Sequence, residues 1–199
     1  MLGQKGGGGK TTIALHLAVC AQQAGEAVAV LDTDPQESAK AWVGQRELQD
    51  PAVAAISPAE VEPYLRKLND IATLALIDTA PRAGPETFRA VQFADLILVP
   101  CRPSFLDIAT LPAVARIVEA AGRPTAFVLS ACPSRGDEVD RSRKVLETYG
   151  YPIAPVTIGH RKAFARAMES GEAVTEFEPS GAAAEEIRGL WEWIQERIK

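Results

Sequence analysis

The run Gln4-Lys5-Gly6-Gly7-Gly8-Gly9-Lys10-Thr11-Thr12 carries the sharpest chemical signal in this chain. Consecutive glycines allow a loop tight enough for backbone N–H groups to point inward at a phosphate chain. A helix is expected directly after it, and a helix N-terminus favours the same anion. Lys10 would then reach the β- and γ-phosphates of a nucleotide, and Thr11 would offer its hydroxyl to Mg2+. Gly6, Gly7, Gly8, Gly9 and Thr12 would complete the cradle. The strict G-x-x-x-x-G-K-[ST] spacing fails at its first place, where Gln4 stands. The run fits K-G-G-x-G-K-T instead, with a second lysine, Lys5, at the loop entrance.

Two acidic motifs follow. Val28-Ala29-Val30-Leu31 leads into Asp32-Thr33-Asp34-Pro35-Gln36, an apolar strand ending in acids. Carboxylates at the carboxyl end of a parallel strand face the ligand crevice. Asp32 is expected to support the loop and Mg2+-bound water. Leu74-Ala75-Leu76-Ile77-Asp78 repeats the pattern and reads as a Walker B strand, with Asp78 holding Mg2+ through water. Residues 79–84 would be the segment that senses the γ-phosphate.

The variant loop resembles the deviant Walker A family, which includes the ParA partition ATPases, MinD, the nitrogenase iron protein and the arsenite-pump ATPase. The resemblance implies that Lys5 reaches across a homodimer to the partner's nucleotide. It also implies that Asp34, the second aspartate of D-x-D-P-Q, orients the attacking water. The catalytic set would be Lys5, Lys10 and Asp34, with ATP and Mg2+ as cofactors. Val99-Pro100-Cys101-Arg102-Pro103-Ser104-Phe105-Leu106-Asp107 is similar to the family stretch V-P-x-x-P-S-x-L-D and favours the ParA branch. Cys101 falls at a variable place in it and is read as a small buried residue. The carboxyl-terminal third looks like the small ParA/ParF-like proteins that lack an N-terminal DNA-binding domain. There Arg161, Lys162 and Arg166 fall where such proteins carry basic residues for non-specific double-stranded DNA. A ParB-like partner, centromere-binding or cargo-adaptor, would stimulate slow hydrolysis. The place of work would be the cytoplasm, on the nucleoid. A MinD-like membrane-surface regulator, a metabolic enzyme of the same fold and a non-hydrolysing homologue are the competing readings.

The elements must set these groups at one edge. Strands are expected at 27–31, 53–57, 73–78, 96–100 and 125–130, with a weaker one near 153–158. Helices are expected at 11–24, 36–45, 58–68, 85–93, 106–121, 137–149, 161–170 and 182–198. Strands that read as continuous Val/Ile/Leu runs are buried on both faces. Their alternation with helices predicts a single α/β domain of the P-loop NTPase class, a mostly parallel twisted sheet flanked by helices. Only Met1-Leu2-Gly3 precede Gln4, too short for the usual strand before such a loop. The sheet should carry a truncated first strand or a gap, unless the true start lies upstream.

Composition bounds the rest. The net charge of −5 makes the surface as a whole repel a polyanion, so any DNA contact needs a local basic patch. Arg141, Arg143 and Lys144 alternate with acids and read as a solvated face. Cys20, Cys101 and Cys132 form no Cys-x-x-Cys pair, and His16 and His160 are far apart, which argues against a zinc site. No apolar run reaches the ~18 residues of a membrane span. In the last helix Ile187, Leu190, Trp191, Ile194 and Ile198 share one face and are expected in the core. Trp193 lies off that stripe and is expected to be partly exposed.

Overall fold

A computed structural model describes residues 1–81 and 84–198. Among the described residues five parallel strands form: β1 (Val28–Asp32), β2 (Ala52–Ala55), β3 (Leu74–Asp78), β4 (Ile97–Cys101) and β5 (Thr125–Leu129). The helices that flank them among the described residues are α1 (Lys10–Gln23), α2 (Ser38–Val43), α3 (Val61–Leu68), α4 (Pro85–Val91), α5 (Phe105–Ile108), α6 (Leu111–Ala121), α7 (Glu138–Glu147), α8 (Lys162–Glu169), α9 (Val174–Phe177) and α10 (Ala182–Gln195). A single 3-10 turn, Pro58–Glu60, precedes α3.

The strands pair in the order β2-β1-β3 and, separately, β4-β5. The first two residues of the chain join these halves. The Met1 ammonium donates to the Ile77 carbonyl at 2.6 Å, and the Leu2 amide donates to the Leu98 carbonyl at 2.9 Å. Alternate residues thus bond alternate neighbours, as in any strand between two others. Met1 and Leu2 thus occupy the place of the strand that leads into the loop. Beyond Met1, a cavity of about 210 Å³ separates β3 from β4, lined by Leu74, Leu76, Leu96, Leu98, Trp191 and Ile194 among others. Leu74, Ala75, Leu76 and Ile77 are consequently only half-buried, although they lie mid-sheet.

The pleat sorts the β4 and β5 side chains into two cores. Leu98, Ala126 and Val128 face α1 and α10, packing on Ile13, Leu17, Ile187, Leu190 and Trp191. Ile97, Val99, Phe127 and Leu129 face the other way, onto Val91, Leu111, Val114, Val118 and Leu146, with Leu2 among them. The α1 helix is buried from Ile13 to Ala21, which suits a helix apolar on all sides.

Three expectations are revised. The helix anticipated at 106–121 is two helices, because Pro112 has no N–H to continue the ladder and the Thr110 hydroxyl donates to the Asp107 carbonyl at 2.7 Å. The weak strand near 153–158 is a pair of isolated parallel bridges, Phe127 with Ile153 and Cys132 with Gly159. Trp193 is buried at 9% exposure, since the Arg197 guanidinium lies 3.7 Å over its ring.

Candidate functional site

The loop between the Met1–Leu2 stub and α1 sits at the carboxyl ends of the strands, where open α/β sheets bind ligands. Gly9 caps α1 in the left-handed region (φ 85°), and its carbonyl accepts the Ile13 amide at 2.8 Å. A side chain there would be strained, and its Cβ would meet Ile13 and Ser130. From the end of β5, the Ser130 hydroxyl donates to the Gly8 carbonyl at 3.0 Å and fixes the far wall of the loop. Lys10 is buried, and its ammonium donates to the Lys5 carbonyl at 3.2 Å. Burial lowers its pKa, while Asp78 and then Asp34 pull the other way. Lys5 is half-buried at the loop entrance.

Asp32 and Asp78 are register partners on the adjacent strands β1 and β3. The two acidic motifs therefore end side by side. The Thr11 hydroxyl donates to Asp78 Oδ2 at 2.5 Å, while Asp78 Oδ1 is buried with no hydrogen-bond partner among the described residues. Burial raises the Asp78 pKa despite the hydroxyl, the Met1 ammonium and Lys10 nearby. A buried, orphaned carboxylate oxygen beside a threonine hydroxyl fits a hard divalent cation such as Mg2+, which takes oxygen ligands and keeps much of its water. Thr11 and Asp78 are the residues that would hold it.

Asp32 turns both oxygens onto backbone amides, Oδ1 accepting from Asp34 at 3.0 Å and Oδ2 from Ala39 at 2.9 Å. It braces the Asp34 turn and the start of α2, and burial raises its pKa. Of the anticipated metal-side residues, Thr11 and Asp78 are joined directly, whereas Asp32 acts through the backbone. Asp34 is half-buried, and its Oδ1 accepts the Gln36 amide at 3.0 Å. Beside it opens a cavity of about 600 Å³, lined by Thr33, Asp34, Pro35, Gln36, Ala80 and Glu86 among others. Of the segment 79–84, Ala80, Pro81 and Gly84 border this cavity, and Arg82 and Ala83 lie outside the described residues.

Residues 1–174 match the CobQ/CobB/MinD/ParA nucleotide binding domain. The chain belongs to this family. Protein ParA of Rhizobium radiobacter is 26% identical over 177 residues, covering 84% of this chain and 80% of its own. The chromosome-partitioning ATPase Soj of Thermus thermophilus is 24% identical over 234 residues, covering 98% and 94%. The septum site-determining protein MinD of Pyrococcus horikoshii OT3, complexed with Mg-ADP, shares the fold with a TM-score of 0.81 at 16% identity, covering 97% of this chain and 93% of its own. The chain is a ParA-family P-loop protein with the parallel sheet and flanking helices of that fold.

The basic cluster is divided. Arg161 is committed to Glu186, its Nη2 donating to Oε1 at 2.6 Å and its Nε at 2.9 Å. Lys162 and Arg166 are exposed on α8 and in no ion pair among the described residues. The apolar stripe of α10 is spent on the core: Ile187, Leu190, Trp191 and Ile194 are all buried. No helix among the described residues is long and apolar enough to cross a membrane.

Two residues at the loop, Ser130 and Arg102, have no motif of their own. The signal available in sequence was position alone: a polar residue just past an apolar parallel strand.

Proposed function

We propose that the protein is an ATP-hydrolysing positioning switch whose ATP-bound form is a homodimer. The observation that carries this reading is the Thr11–Asp78 pair, with Asp78 Oδ1 left over, set beside Lys10 and the glycine loop. Loop amides and Lys10 would bind the β- and γ-phosphates, and Asp34 would orient the attacking water from the cavity beside it. Mg2+, when bound, neutralises charge on the β- and γ-oxygens. Lys5 would reach the nucleotide of the second copy, which ties dimerisation to the γ-phosphate.

The family relatives named for partition support a DNA-positioning role. Lys162 and Arg166, doubled in a dimer, would supply a phosphate-binding patch on an acidic protein, with affinity that falls as salt rises. Arg161, tied to Glu186, would contribute less. A ParB-like adaptor would accelerate hydrolysis and release the DNA. This reading places the protein in the cytoplasm, on the nucleoid.

The test is size-exclusion chromatography and phosphate release with ATP and Mg2+, comparing wild type, Asp34→Ala and Lys10→Ala. Asp34→Ala should dimerise with ATP and lose turnover by at least about 100-fold, the scale of a positioned catalytic group. Lys10→Ala should lose nucleotide binding itself. Undiminished hydrolysis by Asp34→Ala would sink the assignment. Co-sedimentation with non-specific duplex DNA in ATP, ADP and no nucleotide then tests the cargo side, and binding only with ATP is expected.

A further inference from the structure

Arg102 stands just past the end of β4, where parallel strands present ligand-binding groups. Its Nε donates to Asp107 Oδ1 at 3.2 Å. Asp107 is itself buried and fixed, accepting the Ser104 hydroxyl. The guanidinium is thereby held at its inner edge. Its two Nη groups have no acceptor among the described residues, and the side chain is 36% exposed. They lie against the glycine loop. A Cβ built on Gly7 would come within 3.7 Å of Nη1 and 4.0 Å of Nη2. Gly7 is exposed and holds φ at 76°, so loop and guanidinium meet with no side chain between them.

An arginine tethered at Nε, with both Nη groups unpaired at the mouth of a phosphate loop, is a preorganised fork for an anion. Neither Lys5 nor Lys10 presents such a fork. The family stretch V-P-x-x-P-S-x-L-D leaves this position open, so the motif does not dictate an arginine there.

We propose that Arg102 is a phosphate-binding residue that contacts the terminal phosphate of the bound nucleoside triphosphate and so distinguishes a triphosphate from a diphosphate. This rests on the nucleotide-binding reading above and adds a third cation to Lys10 and Lys5. Asp107 is the positioning residue that keeps the fork facing the loop.

The experiment is calorimetric titration of ATP and ADP, with Mg2+, into wild type, Arg102→Gln and Arg102→Lys. For Arg102→Gln the ATP Kd should rise about tenfold, the scale of one charge-assisted hydrogen bond in a partly exposed site, and the ADP Kd should move less than about twofold. Arg102→Lys should fall between, because it keeps the charge and loses the fork. The salt dependence of ATP binding should be shallower in Arg102→Gln than in wild type. Equal weakening of ATP and ADP, or no change in either, would overturn the proposal. A thermal melt of the nucleotide-free variants separates a loosened loop from a lost ligand, since loss of the Asp107 tether would lower Tm without setting ATP apart from ADP. Absence of ATP binding by wild type would instead defeat the parent reading, before Arg102 is tested.

Discussion

Asp78 carries more physical tension than any other residue at the site. Burial raises its pKa, so the folded chain carries this carboxylate's charge at a cost. A carboxyl group whose pKa is raised on folding weakens stability once pH exceeds its unfolded value. The cost makes sense if a cation is the partner of Oδ1. Asp78→Asn removes the charge and leaves an oxygen for Thr11. The nucleotide-free variant should therefore melt higher than wild type. Its nucleotide binding should lose the contribution of Mg2+, about 10- to 100-fold, as for a group that orients a metal's water. Thermal melts and titrations with Mg2+ or with EDTA check both halves. Lys10, Thr11 and Asp78 were legible in the sequence because phosphate chemistry demands glycines, a lysine and a hydroxyl at fixed spacing. Arg102 and Ser130 were not, because a lone polar residue after an apolar strand is shared by every strand end.

At the scale of elements, α1 is anchored by contacts that no local pattern announces. His16, fully buried in α1, accepts the Val174 amide on Nδ1 at 3.1 Å and meets the Phe164 ring edge-on at 5.1 Å. Burial lowers its pKa to about 3, Glu176 opposing. Between pH 6.5 and 3 the unfolded chain thus binds a proton that the folded chain refuses. This stability is fully present above pH 6.5 and is lost as pH falls, at about 1.4 kcal/mol per unit. His16→Gln should flatten that limb in urea titrations run at stepped pH. Nearby, Arg46 donates to both oxygens of Glu176 at 2.8 and 2.6 Å, tying the turn after α2 to α9. Burial works to raise the Glu176 pKa, and the arginine outweighs it, so this group adds loss of stability only below its unfolded value of 4.5. Arg46→Ala leaves the half-buried Glu176 carboxylate with only the Ala173 amide to hold it, and should cost about 1–3 kcal/mol by denaturant unfolding. The sequence could not disclose this pair, since 130 residues separate its members. The longer helices were legible in the sequence, except where Pro112 divides one, whereas the four-residue α9 was not.

For the whole molecule, the decisive joint is the meeting of the two half-sheets. The strand types and their parallel order could be read from apolar runs alternating with helices. How the halves are joined could not, because three residues before a loop carry no period. Met1 and Leu2 bond the two sides through their backbones, and a cavity of about 210 Å³ begins beyond them. At this joint the Leu2 side chain fills core, at 1% exposure among Ile97, Val99, Leu111 and Val114. Leu2→Ala should cost about 2–5 kcal/mol, the range for emptying a fully buried leucine site. Leu48→Ala, at 60% exposure, should stay within about 0.5 kcal/mol and serves as the control. Urea unfolding measures both through the midpoint. The slope carries the second half of the argument. If Met1 and Leu2 couple the halves, the variant should unfold with a lower m-value or in two steps, as β2-β1-β3 and β4-β5 part company. A midpoint and slope equal to those of wild type would mean that the helices α1 and α10, rather than the stub, hold the sheet together.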